Sequence, residues 1–173
     1  MARHSWLASI LALLLLMLRV LLVPASAADP LDRILARVDG QLILLSDVRA
    51  ARVLKLTGVT ATEDLSVATH ALVDRQLVLA EAIRGLPDAP DAARVEMELT
   101  AMRARAGGPG RVDPMMAETG VTIEHFRRLA LESLWVDAYL QQRFADGLAS
   151  DTGQAWLGDL RRRASITCGV PGC

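Results

Sequence analysis

Lysine, aromatic residues and cysteine are all scarce in this chain. Lys55 is its single lysine, and it holds two Phe, one Tyr and three Trp. Platforms on which nucleic-acid bases could stack are therefore lacking. The charge agrees, because all 20 acidic residues follow residue 27 while two of the 19 basic ones, Arg3 and Arg19, precede it, leaving the remainder at about −3. Both features argue against a nucleic-acid partner. Two cysteines with no neighbouring histidine are too few for a four-ligand zinc site. The glycines at 107, 108 and 110 lack the spacing and the Lys-Ser/Thr ending of a phosphate loop. Strand-favouring aromatics are equally rare. Leu, Ala and Val dominate a hydrophobic share of 52%, which favours helices.

The first 27 of the 173 residues read as a secretory signal peptide. Arg3 and His4 give a basic start, Trp6 to Leu18 form an apolar stretch, and Pro24-Ala25-Ser26-Ala27 offers a small-x-small cleavage site. As a membrane anchor the same stretch is short and would place Arg19 in its C-terminal half. Cleavage leaves no stable membrane span and sends the chain to the periplasm, an oxidising compartment where Cys168 and Cys173 can pair. The 146 remaining residues suffice for one domain with a real core, and the sequence divides into a leader (1–27), a helical domain (28–167) and a Cys-bounded tail (168–173).

The predicted fold is mainly α, a small bundle with an N-terminal β-hairpin. Arg33 to Val38 and Gln41 to Leu45 are strands around the turn Asp39-Gly40. Ser46 is placed to cap a first helix that Gly58 ends. Thr62 starts a longer helix that stops at Gly85, with His70, Asp74, Glu81 and Arg84 on one narrow arc and apolar residues over much of the rest, so it is the candidate central element. Asp91 to Ala106 buries Val95, Leu99, Met102 and Ala106 and turns Met97 the other way. Gly107 to Gly110 reads as a flexible loop, and Asp113-Pro114 starts a turn or two that Gly120 closes. Thr122 caps a helix to about Ala145 with Ile123, Phe126, Ala130, Leu134 and Ala138 as its stripe and Leu131, Trp135 and Tyr139 as a second edge. A last helix spans about Thr152 to Arg163. Ala164 to Cys168 is then a short strand that needs a neighbour, and the edge of the opening hairpin supplies one.

No residue set amounts to catalytic or cofactor chemistry. His70 and Asp74 are too few for a metal. Ser46, Asp47 and His70 supply the residue types of a triad without the strand-to-helix elbow a nucleophilic serine needs. His125 reads as exposed, and Arg161 to Arg163 as a solvated last turn that complements the helix dipole. What stands out is adaptable apolar side chains: Met97, Met102, Met115 and Met116, with Trp135 and Tyr139, are the candidate peptide-binding residues.

The order of elements resembles the chaperone module of the SurA-type periplasmic folding factors. The likeness lies in the stretch from Asp32 to Val48 with its Leu45-Ser46-Asp47 helix start, in Leu72 to Ala82, in Gly120 to Leu129 continuing to Gln141-Gln-Arg-Phe144, and in Trp156 to Ile166. Members of that family usually insert one or two parvulin prolyl-isomerase domains before the closing helix. Here only Asp146 to Asp151 separates Phe144 from that helix. The resemblance therefore implies a non-enzymatic chaperone, without cofactor, that binds unfolded or extended polypeptides, outer-membrane proteins among them. The alternative is an envelope-complex subunit that turns the same apolar surface to one fixed partner. A dimer is compatible with either.

Overall fold

The computed structural model describes residues 32–58, 62–86 and 88–170; the signal peptide and Cys173 lie outside them. Strand β1 (Ile34–Val38) turns through Asp39-Gly40 into β2 (Gln41–Leu44), and β3 (Ile166–Cys168) returns from the far end of the chain. Asp39 and Gly40 both have positive φ, 47° and 90°, the twisted turn that Asp-Gly favours and that sets Val38 opposite Gln41. The three strands are antiparallel in the order β2-β1-β3. A register shift between Ile34 and Ala36 lets the adjacent Leu35 and Ala36 both be buried, where strict alternation would expose one.

The expected pairing of the chain's end with its opening hairpin is thus present, with Ala36 opposite Cys168 and Val38 opposite Ile166. Three further bonds secure it. The Asp39 N–H donates to the Ser165 carbonyl (3.0 Å), the Asp39 carboxylate accepts from the Ser165 N–H (2.8 Å), and the Gly169 N–H donates to the Leu35 carbonyl (2.8 Å). Gly169 approaches so closely that a Cβ there would lie 2.9 Å from the Ile34 carbonyl oxygen. Cys168 is disulfide-bonded.

Six α-helices follow β2 among the described residues: α1 (Leu45–Leu54), α2 (Leu65–Gly85), α3 (Ala92–Arg105), α4 (Pro109–Thr119), α5 (Ile123–Arg143) and α6 (Asp151–Arg163). Four start with a side chain that accepts a backbone N–H: Asp64 from Ser66, Asp91 from Arg94, Thr122 from His125 and Ser150 from Gly153. None of these helices is long and apolar enough to cross a membrane.

Four boundaries differ from the sequence expectation. Helix α1 begins at Leu45, so Ser46 is inside it; the Ser46 hydroxyl donates to Asp32, and Asp47 reaches back to the Leu44 N–H (2.8 Å) to satisfy the helix start. The same helix ends at Lys55, which takes the left-handed conformation (φ 54°), and Gly58 closes only a 3₁₀ turn, Leu56–Gly58. The central helix starts after Asp64 instead of Thr62. Gly107 to Gly110 is not a free loop: Pro109 occupies the first position of α4, where its missing N–H costs nothing, and the helix runs on through Pro114 to Gly120.

Helix α2 is the centre of the bundle. It packs on β1 and against α1, α5 and α6, and it buries Ala68, Leu72, Val73, Leu77, Val78, Leu79 and Ala82. Helix α3 lies on α5, and α4 on α1. The largest wholly buried side chains, Phe126, Leu35, Leu54 and Met102, come from α5, β1, α1 and α3 and meet in one core. Burial of each such side chain contributes roughly 1.5–3 kcal/mol.

Candidate functional site

Helix α5 is unlike its neighbours. Phe126 and Ala130 seal its first half into the core, but residues 131 to 136 and 138 to 140 are all half-buried, so no face of that stretch is fully covered. The reason is compositional: Leu131, Leu134, Trp135, Val136, Tyr139 and Leu140 are spread round the helix, more apolar surface than its neighbours can cover.

One stripe of α5, with residues recurring at three- and four-residue spacing, lines three adjoining hollows. His125, Arg128, Leu129 and Glu132 line the first, of about 300 Å³, together with Gln41 to Ile43, Asp47 and Gln76. Ser133, Val136, Asp137 and Leu140 line the second, of about 420 Å³, whose other walls include Leu54 at the end of α1, Leu56 in the 3₁₀ turn, Ala71 and Val78 on α2, and Leu157 on α6. Gln141 and Phe144 continue into a third, of about 360 Å³, which shares Asp137, Leu140 and Leu148 with the second. Arg75 and Leu56 are common to the first two. The result is a groove along α5 from His125 to Phe144, about 28 Å at 1.5 Å per residue.

Charged side chains line it along its length. The middle mixes apolar residues with charge, including two ion pairs: Asp74 with Arg161 (2.5 Å) and Glu98 with Arg105 (2.6 Å). Lys55 lines this section too. Burial, with the Glu98 charge next, pushes the Asp137 carboxyl above the usual carboxylate range. The first hollow is mixed as well, with Leu42, Ile43, Leu72 and Leu129 beside its charges. His125 Nε2 lies 3.8 Å from Asp47 Oδ1, and Glu132 stands between Arg75 (3.6 Å) and Arg128 (3.8 Å). Burial raises the pKa of Asp47 and of Glu132 and lowers that of His125, where the Arg128 charge acts in the same direction. His125 is therefore half-buried in a polar cluster, not simply exposed. Among the described residues no three His, Cys, Asp or Glu side chains are placed to hold a metal ion.

The residues expected to bind peptide are not brought together. Met102 is wholly buried and Met115 is 5% exposed, so neither offers surface to a client. Met115 is core because α4 is a full helix from Pro109, which sets Val112 and Met115 one turn apart on its buried side. Met116 packs partly against the core, and Met97 alone is well exposed, at 64%. Tyr139 stacks near Trp156 (centroids 6.0 Å), which meets Phe144 (5.1 Å), with the Arg143 guanidinium 5.4 Å from the Trp156 ring. This aromatic cluster ties the end of α5 to α6, and through Phe144 it reaches the third hollow. Trp135 lines none of the three hollows; its indole N–H is sealed from solvent without an acceptor among the described residues.

Arg75, Val136, Asp137 and Leu140 were not among the sequence candidates. A signal for Arg75 exists: it is a charged residue on the most apolar helix that falls outside the polar arc of His70, Asp74, Glu81 and Arg84. No protein-family model matches the chain, and no curated protein is significantly similar to it.

Proposed function

We propose that this chain is an exported, non-enzymatic module that holds unfolded or extended polypeptides, outer-membrane proteins among them, as the SurA-type resemblance implies. One observation carries the reading: the groove follows α5 for about 28 Å, and an extended chain rising about 3.3 Å per residue would lay some eight residues along it. Its half-buried apolar residues, Ala71, Val136, Leu140 and Leu148, offer apolar contact, which is non-directional and tolerates varied clients. Ion pairs at the rim keep that surface open to water without exposing a continuous apolar patch. Export to the periplasm rests on the leader sequence.

The test is suppression of aggregation. The purified protein, added to several unrelated outer-membrane polypeptides diluted from denaturant, keeps each of them soluble. Ala71→Trp, which fills the groove from α2, reduces that effect several-fold while the helical spectrum is retained. Failure to protect any client, or a one-to-one complex with a single partner and protection of nothing else, contradicts the proposal; the latter result favours the fixed-partner reading.

A further inference from the structure

The first hollow meets the sheet at an open edge. Gln41, Leu42 and Ile43, consecutive residues of β2, all line it. Successive side chains of a strand point to opposite faces, and these do so: Ile43 is 5% exposed and belongs to the core, whereas Leu42 is 43% exposed. A hollow that touches both members of that alternation touches the strand along its backbone. The order β2-β1-β3 leaves this edge of β2 without a neighbouring strand among the described residues.

The register decides which backbone groups the edge offers. The turn at Asp39-Gly40, with positive φ at both residues, sets Val38 opposite Gln41, and a turn of this kind is closed by a bond between those two residues. Opposed pairs alternate between bonded and unbonded. Gln41 and Ile43 therefore turn their N–H and C=O toward β1, and Leu42 turns both away from it. The other side of β1 agrees. The Asp39 N–H and the Leu35 carbonyl bond to Ser165 and Gly169, so the groups of Arg37, which stands opposite both Leu42 and Thr167, point to β3 and not to β2. One residue pair further along, the Leu44 N–H is taken by Asp47 (2.8 Å). Leu42 is left as the residue whose N–H and C=O open onto the hollow.

We propose that an extended segment of a client polypeptide adds to the edge of β2 inside the first hollow, exchanging two backbone hydrogen bonds with Leu42. This inference rests on the reading of the groove as a polypeptide site and adds the client conformation it selects. A helix uses its N–H and C=O groups internally and cannot make these bonds; an extended chain can, whatever its side chains. Gln41 and Gln76 line the same hollow and supply further donors and acceptors for peptide groups. The charge of the hollow fits an uncharged segment, because Arg75 and Arg128 balance Asp47 and Glu132, and burial favours the neutral form of His125. A second copy of this chain fits less well: an edge of four residues falls far short of the ~800 Å² per partner that a stable dimer buries.

Residue-resolved amide hydrogen exchange on the unaltered protein reads the contact directly and does not depend on a variant folding. The Leu42 N–H exchanges fast in the free protein, and a saturating unfolded outer-membrane polypeptide slows it roughly ten-fold or more, while Gln41 and Ile43, already bonded to β1, change much less. Leu42→Pro removes the N–H at an edge position where β1 does not use it, the setting in which a strand tolerates proline. It weakens client binding about ten-fold, the worth of the two bonds. Leu42→Ala keeps the backbone and binds within about three-fold of the parent. Unchanged exchange at Leu42 with the client bound overturns the inference and leaves the polypeptide reading standing, as does a loss in Leu42→Ala equal to that in Leu42→Pro. Protection of Leu42 that needs no client and rises with protein concentration overturns it in favour of a second copy. Absence of any client binding overturns both readings.

Discussion

Arg161 of α6 grips Asp74 of α2 at two points, Nε to Oδ1 at 2.7 Å and Nη2 to Oδ2 at 2.5 Å, across 87 positions of sequence. The pair joins the closing helix to the central one at the rim of the groove. Arg161 is nearly half exposed, so solvent screening limits the pair's worth to about 1 kcal/mol or less despite its bidentate geometry. A double-mutant cycle with Asp74→Asn and Arg161→Gln, read by denaturant unfolding, gives a coupling of that size, and 0.5 M salt reduces it. Coupling several times larger would mean that the rim is drier than its exposure indicates.

The closing strand contributes more. Removing residues 165 onward takes away β3, the two Asp39–Ser165 bonds and the Gly169–Leu35 bond, and it uncovers the edge of β1. Thermal unfolding of the truncated chain falls by more than 10 °C or loses cooperativity, since about 1 kcal/mol shifts a domain of this size by roughly 2–8 °C. Cys168→Ser costs about 2 kcal/mol or less, because a cross-link within the last six residues closes only a small loop. A truncation that melts like the parent would show that β3 is dispensable.

The methionines separate by burial. Met102→Ala destabilises by about 2–5 kcal/mol and Met115→Ala by a similar amount, as large-to-small changes in a packed core do. Met97→Gln stays within about 0.5 kcal/mol of the parent. Urea midpoints of the three variants check this ordering, and a mild Met102→Ala would contradict the core described here.

His125 sets a pH dependence of known sign. Burial first, and the Arg128 charge second, hold its pKa below the ordinary value, against the smaller pull of Asp47. The unfolded chain therefore takes up a proton more readily, and the fold loses stability as pH falls through about 6.5 and below. Asp47, Glu132 and Asp137 act in the opposite sense. Their raised pKa values make the folded state bind protons first, so their contribution favours the fold below about pH 4 and is lost as pH rises. Melting temperature between pH 8 and pH 5.5 thus declines in the parent and declines less in His125→Asn. Parallel profiles would remove His125 from the pH response.

The fold was largely legible because its signals are local. Asp39-Gly40 fixes a hairpin by turn chemistry, and Asp91 and Thr122 announce helix starts. The edge of β1 asks for a third strand that Ile166 to Cys168 can provide. Misreadings arose where one residue type serves two ends. Gly108-Pro109 reads as a loop but opens α4, and Ser46 reads as a cap although Asp47, one residue on, serves the helix start. The groove was not legible. Its walls come from α1, α2, α5 and α6, and whether Val136 and Leu140 face a neighbour or an opening depends on how those helices pack, which periodicity along one helix does not record.

The groove along α5 as the polypeptide site is the central claim, and site-specific photocrosslinking tests it most directly. A photoreactive amino acid is placed singly at Gln141 and at Gln154, exposed residues that line the groove, and at Met97, which is exposed and lines none of its hollows. Irradiation with an unfolded outer-membrane polypeptide yields crosslinks at 141 and 154 and little at 97. Crosslinking at Met97 equal to or above that at the two groove positions would contradict the account.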